Sequence, residues 1–183
     1  MATKLDTLPV VDAASRPAWR AWLLAHHAQP VGIWLKLYKK SHGPQPLTYA
    51  QAVEEALCFG WIDSVPRKVD ASCFHLYFSP RKKGSVWSAV NKKRVAQLQA
   101  AGLLLPAGQA KIDAAQQDGS WAALDEVDAL LVPPDLAAAL TATPGAEQRF
   151  AGLAPSRRKQ YLQQLAAARR PETRQRRIAQ LLE

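Results

Sequence analysis

Arg81, Ser85, Ser88 and Asn91 are spaced as residues of a turn that opens a helix, within Ser79-Pro80-Arg81-Lys82-Lys83-Gly84-Ser85-Val86-Trp87-Ser88-Ala89-Val90-Asn91-Lys92-Lys93-Arg94. Three consecutive cations, a glycine and two serines there accompany backbone N–H groups that lack intrahelical acceptors, at the positive end of a helix dipole. Such a loop is suited to anions: a guanidinium grips carboxylate or phosphate through two parallel hydrogen bonds, while hydroxyls and amides complete the shell. Asp63 follows the helix stop expected at Gly60 and is either the ion-pair partner of Arg81 or, in an enzyme, the candidate base. Trp61, Asp63, Arg81, Ser85, Trp87, Ser88 and Asn91 are therefore the expected ligand-binding set. The same residues also fit a structural reading, with an Asp63–Arg81 bridge, two capping serines and two core tryptophans.

A second reading uses the cations differently. Lys82, Lys83, Lys92 and Lys93, with Arg174 and Arg177 near the C-terminus, are the residues a nucleic-acid-binding module would turn toward phosphates. Helical geometry places Lys93 away from Trp87, which favours a solvated charged face over a stacking site. The arginine-rich ending has Ile178, Leu181 and Leu182 on another side, a pattern that suits packing onto a domain better than a membrane surface.

Enzymatic signatures are sparse. Cys58 with His75 or His42 as base is the nucleophile candidate, but its apolar helical surroundings suit an inert thiol. Glu54 and Glu55 are adjacent and diverge. The histidines and cysteines lack paired zinc-ligand spacing, and there is no phosphate-binding P-loop, dinucleotide fingerprint or nucleophile elbow. No cofactor or metal is expected, and no catalytic residue is assigned.

The elements that must position these residues follow from periodicity. Ser15 to His27 is predicted helical, with Trp19, Trp22, Leu23 and His26 on one side and Arg16 and Arg20 toward solvent. Val31 to Tyr38 alternates as a strand, and Thr48-Tyr49-Ala50-Gln51 is a capping box starting a helix that Gly60 ends. Trp61–Val69 and Cys73–Phe78 are further strands, the former kinked or at an edge because of Pro66. Helices follow: Ser85 or Ser88 to Gly102, Pro106 to Gly119, shorter pieces around 124–131 and 135–141, and two starting at Pro155 and Pro171. The expected fold is α+β: a small antiparallel sheet of about three strands packed with helices over 1–104, then a helical segment, 105–183, packed on it.

Composition sets the outer bounds. The 183 residues are 48% hydrophobic and 21% charged, as in a globular protein with a real core. The net charge of +9 is segregated: residues 31–100 carry 11 Lys/Arg against 4 Asp/Glu, residues 101–147 carry 1 against 7, and residues 148–183 carry 9 against 2. Basic blocks flank an acidic one, which implies either internal neutralisation or a face for anionic partners. Two cysteines make no disulfide framework. Without a signal-like N-terminus or a spanning apolar run, the expected compartment is the cytoplasm and stable membrane insertion is not expected.

Several segments carry a family resemblance. Gly32-Ile33-Trp34-Leu35, the run Glu55-Ala56-Leu57-Cys58-Phe59-Gly60-Trp61-Ile62-Asp63, Phe78-Ser79-Pro80-Arg81, and Ser85-Val86-Trp87-Ser88 with Asn91 are four of them. Leu105-Pro106-Ala107-Gly108, Val132-Pro133-Pro134-Asp135-Leu136, Ala139-Leu140 and Thr173-Arg174-Gln175-Arg176-Arg177-Ile178 are the others. Together they resemble the YdeI/OmpD-associated, or bacteriocin-protection, proteins over nearly the whole chain, with Ser64 standing where such proteins often have glycine. A fainter likeness is to YjbR/CyaY-like folds, some of which are regarded as DNA-binding. The stronger resemblance implies a small bacterial cytosolic protein linked to bacteriocin, antimicrobial-peptide or envelope-stress tolerance, with no catalytic residues to carry over. The leading expectation is a non-enzymatic monomer or homodimer that binds an anionic small molecule or an acidic protein. A nucleic-acid-binding module and an enzyme acting on a phosphorylated small molecule are the alternatives.

Overall fold

The structure is a computed structural model that describes residues 5–182, apart from the side chain of His42. The chain forms two compact units, one running to Ser85 and including Val90–Gly119, the other comprising Val86–Ala89 and the chain from Ser120.

The first unit contains β1 (Val10–Val11), α1 (Arg16–His26), β2 (Ile33–Tyr38), α2 (Tyr49–Cys58), β3 (Trp61–Lys68), β4 (Cys73–Pro80), nearly all of α3 (Ala89–Ala100), and α4 (Pro106–Gln117). A short 3₁₀ turn covers Lys40–His42. The strands form one sheet in the order β1-β2-β4-β3. The three strands expected from alternation pair antiparallel, and β1 adds a parallel edge, so the sheet is mixed and four-stranded. Two residues are too few to show a period, which is why β1 is invisible in the sequence.

Pairing assigns the two sheet faces. Ile33, Leu35 and Leu37 lie opposite Phe78, Leu76 and Phe74, while Trp34, Lys36 and Tyr38 lie opposite Tyr77, His75 and Cys73. The first set faces the helices: Trp19 of α1 packs its ring on Phe78 at 5.5 Å, and Ile33, Leu35 and Phe78 are fully buried. β3 is the edge strand that Pro66 calls for. Its register slips by one residue between Asp63 and Pro66, so that Asp63 opposes Phe78 and Arg67 opposes His75. This bulge turns Arg67 to the face away from the helices, where uninterrupted alternation would have sent it inward.

Local signals act as the sequence implies. Thr48 and Gln51 close a reciprocal capping box at the start of α2. Gly60, at φ +74°, turns the chain from α2 into β3. Gly108 lets α4 approach α2 so closely that a Cβ there would stand 2.5 Å from the Cys58 carbonyl oxygen.

The second unit holds α5 (Asp125–Asp128), α6 (Pro134–Ala142), α7 (Ala146–Gly152), α8 (Pro155–Ala166) and α9 (Pro171–Leu182). Leu136, Leu140, Phe150, Leu162, Leu165 and Ile178 dominate its core. Proline opens α6, α8 and α9, where a missing N–H costs no hydrogen bond.

Candidate functional site

Asp63 points with Phe78 to the helix side of the sheet, at the edge strand, and there meets the first residue of α2. Tyr49 donates its hydroxyl to the Asp63 carboxylate at 2.9 Å. The Tyr49 phenol is pushed above its ordinary pKa by burial first and by the Asp63 hydrogen bond second, with Arg94 pulling the other way. The guanidinium of Arg94 lies over the Tyr49 ring, 5.9 Å from its centre, and donates to the Asn91 side-chain carbonyl at 3.0 Å.

Arg81 leaves the end of β4 with its N–H donating to the Gly60 carbonyl at 2.9 Å, and the residue is only 3% exposed. Burial lowers its pKa to about 10, against the opposing attraction of the Asp63 carboxylate. At neutral pH it is a buried cation. The first unit thus gathers Asp63, Tyr49, Arg81, Asn91 and Arg94 into one electrostatically linked cluster. Tyr49 and Arg94 were absent from the sequence-derived set. The only available signal was that Tyr49 directly follows the capping residue of the helix preceding Asp63.

The remaining members of that set fall elsewhere. Trp61 is fully buried in the first unit, donates its indole N–H to the His27 carbonyl at 2.9 Å, and meets Trp22 edge-on. Trp87 is 1% exposed and packs on Trp121 within the second unit, which also holds the half-buried Ser88. Ser85 is half-buried and donates its N–H to the Lys82 carbonyl at 3.2 Å, closing a turn in which Lys82, Lys83 and Gly84 are exposed.

Two amides of this stretch hold carboxylates supplied by the chain itself. Gly84 N–H donates to Asp118 at 3.1 Å within the first unit, and Ala89 N–H donates to Asp128 at 2.8 Å within the second. The electropositive character read from the sequence is present, and acidic residues of the 101–147 block use it.

Arg16 and Arg20 correct the expectation of a solvated pair. Both reach the buried Glu55, Arg16 Nε and Arg20 Nη1 each donating at 2.7 Å, and Arg16 also bridges to Glu54 at 3.0 Å. The neighbouring Cys58 is buried, and desolvation, then the Glu55 charge, raises its thiol pKa. That is the wrong direction for a nucleophile. His75 belongs to the other sheet face, and the His42 side chain lies outside the described residues.

Lys82, Lys83 and Lys93 are exposed and Lys92 is half-buried. Arg174 and Arg177 are tied down inside the second unit. Arg174 holds Asp135 with two hydrogen bonds of 2.5 and 2.9 Å and donates to the Leu165 carbonyl, while Arg177 donates to the Gln164 carbonyl. They add donors to carbonyls of the last turn of α8, where Leu165 also accepts from the Ala168 N–H at 3.0 Å. Among the described residues no group of three or more His, Cys, Asp or Glu side chains has metal-binding geometry, and no helix is long and apolar enough to cross a membrane.

No curated protein and no solved structure matches the chain significantly. Residues 129–183 match the family described as bacteriocin-protection, YdeI or OmpD-associated. That narrows the resemblance drawn from the sequence to Val132–Leu136, Ala139-Leu140 and Thr173–Ile178. All five earlier segments, from Gly32 to Gly108, lie in a stretch matching a different family. This second match spans residues 11–111, more than half of the chain, so the protein belongs to the family described as Domain of unknown function (DUF8412).

Proposed function

We propose that the protein is a non-enzymatic, cytoplasmic binding protein whose first unit takes an anionic small molecule, or an acidic group of a protein partner, beside Arg81. The observation that supports this is the charge state of Arg81. A guanidinium that is 3% exposed, whose desolvation outweighs the pull of Asp63, gains from an approaching anion more than a solvated arginine would. The exposed Lys82 and Lys83 next to it would steer such a ligand, and the Asn91 amide and the Arg94 guanidinium offer further donors. The match of residues 129–183 to the bacteriocin-protection family supports a role in bacteriocin tolerance.

A thermal-shift series with phosphate, pyrophosphate, citrate and a short polyglutamate peptide tests the reading. At least one should raise the Tm of the wild-type chain, and Arg81→Gln should abolish the rise. Should Arg81→Gln fail to fold, the double variant Lys82→Ala/Lys83→Ala must weaken the response. An undiminished rise in the variant that folds overturns the proposal, as does the absence of any response in the wild type.

A further inference from the structure

The sheet face turned away from α1 and α2 carries alternating rings and cations. Trp34, Lys36 and Tyr38 line it on β2, Tyr77 and His75 on β4, and the bulge in β3 adds Arg67. The Arg67 guanidinium lies 4.3 Å above the centre of the Trp34 ring, and the Lys36 ammonium lies 4.8 Å from that of Tyr38. Tyr77 packs against Trp34 at 5.6 Å and His75 at 6.5 Å.

The chain before β1 runs across this face from Leu5, and β1 itself lies beside β2 as the edge of the sheet. Trp34 donates its indole N–H to the Leu5 carbonyl at 2.8 Å and its backbone N–H to the Pro9 carbonyl at 3.0 Å. Asp6 accepts from Arg67 at 3.3 Å; Asp12 accepts from Lys36 at 2.9 Å and from the Tyr38 hydroxyl at 3.1 Å. Each cation is therefore shared between a ring beneath it and a carboxylate, Asp6 before β1 or Asp12 just after it. Beyond Tyr38, Asp12, Ala14, Pro44 and Pro46 complete a cleft of about 450 Å³.

We propose that this face binds single-stranded nucleic acid, and that Asp6 and Asp12, on either side of β1, guard it by standing where phosphates would sit. Single strands are held by cations along their backbone and by flat side chains on which bases stack, and both recur here in register on adjacent strands. The plane of Arg67, resting on Trp34, offers one stacking surface; Tyr77 and Tyr38 offer others. The proline-walled cleft at Tyr38 has room for a base, since small-molecule sites begin at about 300 Å³. The covering ion pairs are easily exchanged: the side chains of Asp6 and Asp12 are 48% and 47% exposed, and exposed pairs contribute little to stability. A phosphodiester chain replaces both carboxylates and releases counterions as well. A duplex cannot use the rings, because its bases are stacked on one another.

Fluorescence anisotropy of a labelled mixed-sequence single strand, titrated with the full chain, decides the matter. Wild type should bind weakly, and Asp6→Asn/Asp12→Asn should bind about ten-fold more tightly, the scale of two exposed ion pairs together with relieved repulsion of phosphate. Adding Arg67→Ala to that double variant should reverse the gain, and the matching duplex should bind less well than the single strand. Circular dichroism checks that each variant is folded. The proposal falls if the double variant binds no better than wild type. It falls equally if duplex and heparin bind as well as the single strand and Arg67→Ala changes nothing, which would mark the face as a general polyanion surface. Arg81→Gln should leave this binding intact, so its failure and that of the anion site beside Arg81 are separable.

Discussion

The two faces of the sheet are built on opposite principles. Under α1 and α2, Ile33, Leu35 and Phe78 are fully buried, and the polar atoms among them are matched: Trp19 donates to the Ala52 carbonyl at 3.0 Å, and Glu55 is clamped by two arginines. On the far face Trp34 is just as hidden, yet Arg67, Lys36, Asp6 and Asp12 around it all keep substantial exposure. One face is closed by shape and apolar area, the other by exposed charges on either side of β1. Stability should therefore reside on the helix side, while the far side can change partners at small cost.

Substitutions can break that contrast. Phe78→Ala removes a ring wedged between the sheet and Trp19 and should cost ~3–5 kcal/mol in urea unfolding; a loss below that of a far-face variant would reverse the picture. Glu55→Ala leaves Arg16 and Arg20 facing each other without their shared carboxylate. Because both arginines are about one-third exposed, the loss should be nearer ~2 kcal/mol than the full penalty of a deeply buried pair. Asp6→Asn, on the far face, should change stability by less than ~1 kcal/mol, measured in the same way.

His75 gives the smallest and most directional effect. Burial, then the charges of Arg67 and Lys36, holds its pKa below the ordinary histidine value. The unfolded chain thus takes up this proton more readily than the folded one. The histidine's effect on stability is neutral above the unfolded pKa, and destabilisation grows as pH falls from there toward the depressed folded value. Between about pH 7 and pH 5 the Tm of wild type should drop more than that of His75→Gln. Equal slopes would show that neither burial nor the neighbouring cations depress the His75 pKa in the folded chain.

Much of this architecture is legible in the sequence because it is locally encoded. The capping box at Thr48, the turn at Gly60, and the prolines at 106, 155 and 171 each fix an element end through the chemistry of one or two residues. What escapes is tertiary. The bulge that turns Arg67 outward depends on how β3 registers against β4. Glu55 finds Arg16 39 residues away, and nothing in an amphipathic helix tells a solvated arginine from one clamping a buried carboxylate. The family-like motif around Trp61 and Trp87 draws attention to two rings that serve as core in separate units. Beside Arg81 the charge was foreseeable, but the linked Tyr49 and Arg94 were not, because their meeting with Asp63 and Asn91 requires folded α2 and α3.

The final helix of the second unit has a consequence for proteolysis. Arg174 and Arg177 cover the last carbonyls of α8, and Arg174 also holds Asp135 on α6, while the short connection between α8 and α9 exposes Arg169 and Arg170. A trypsin-like nick there would sever the tether of one helix yet loosen three. The carbonyl end of α8 would fray and Asp135 would lose its clamp once the released peptide diffused away.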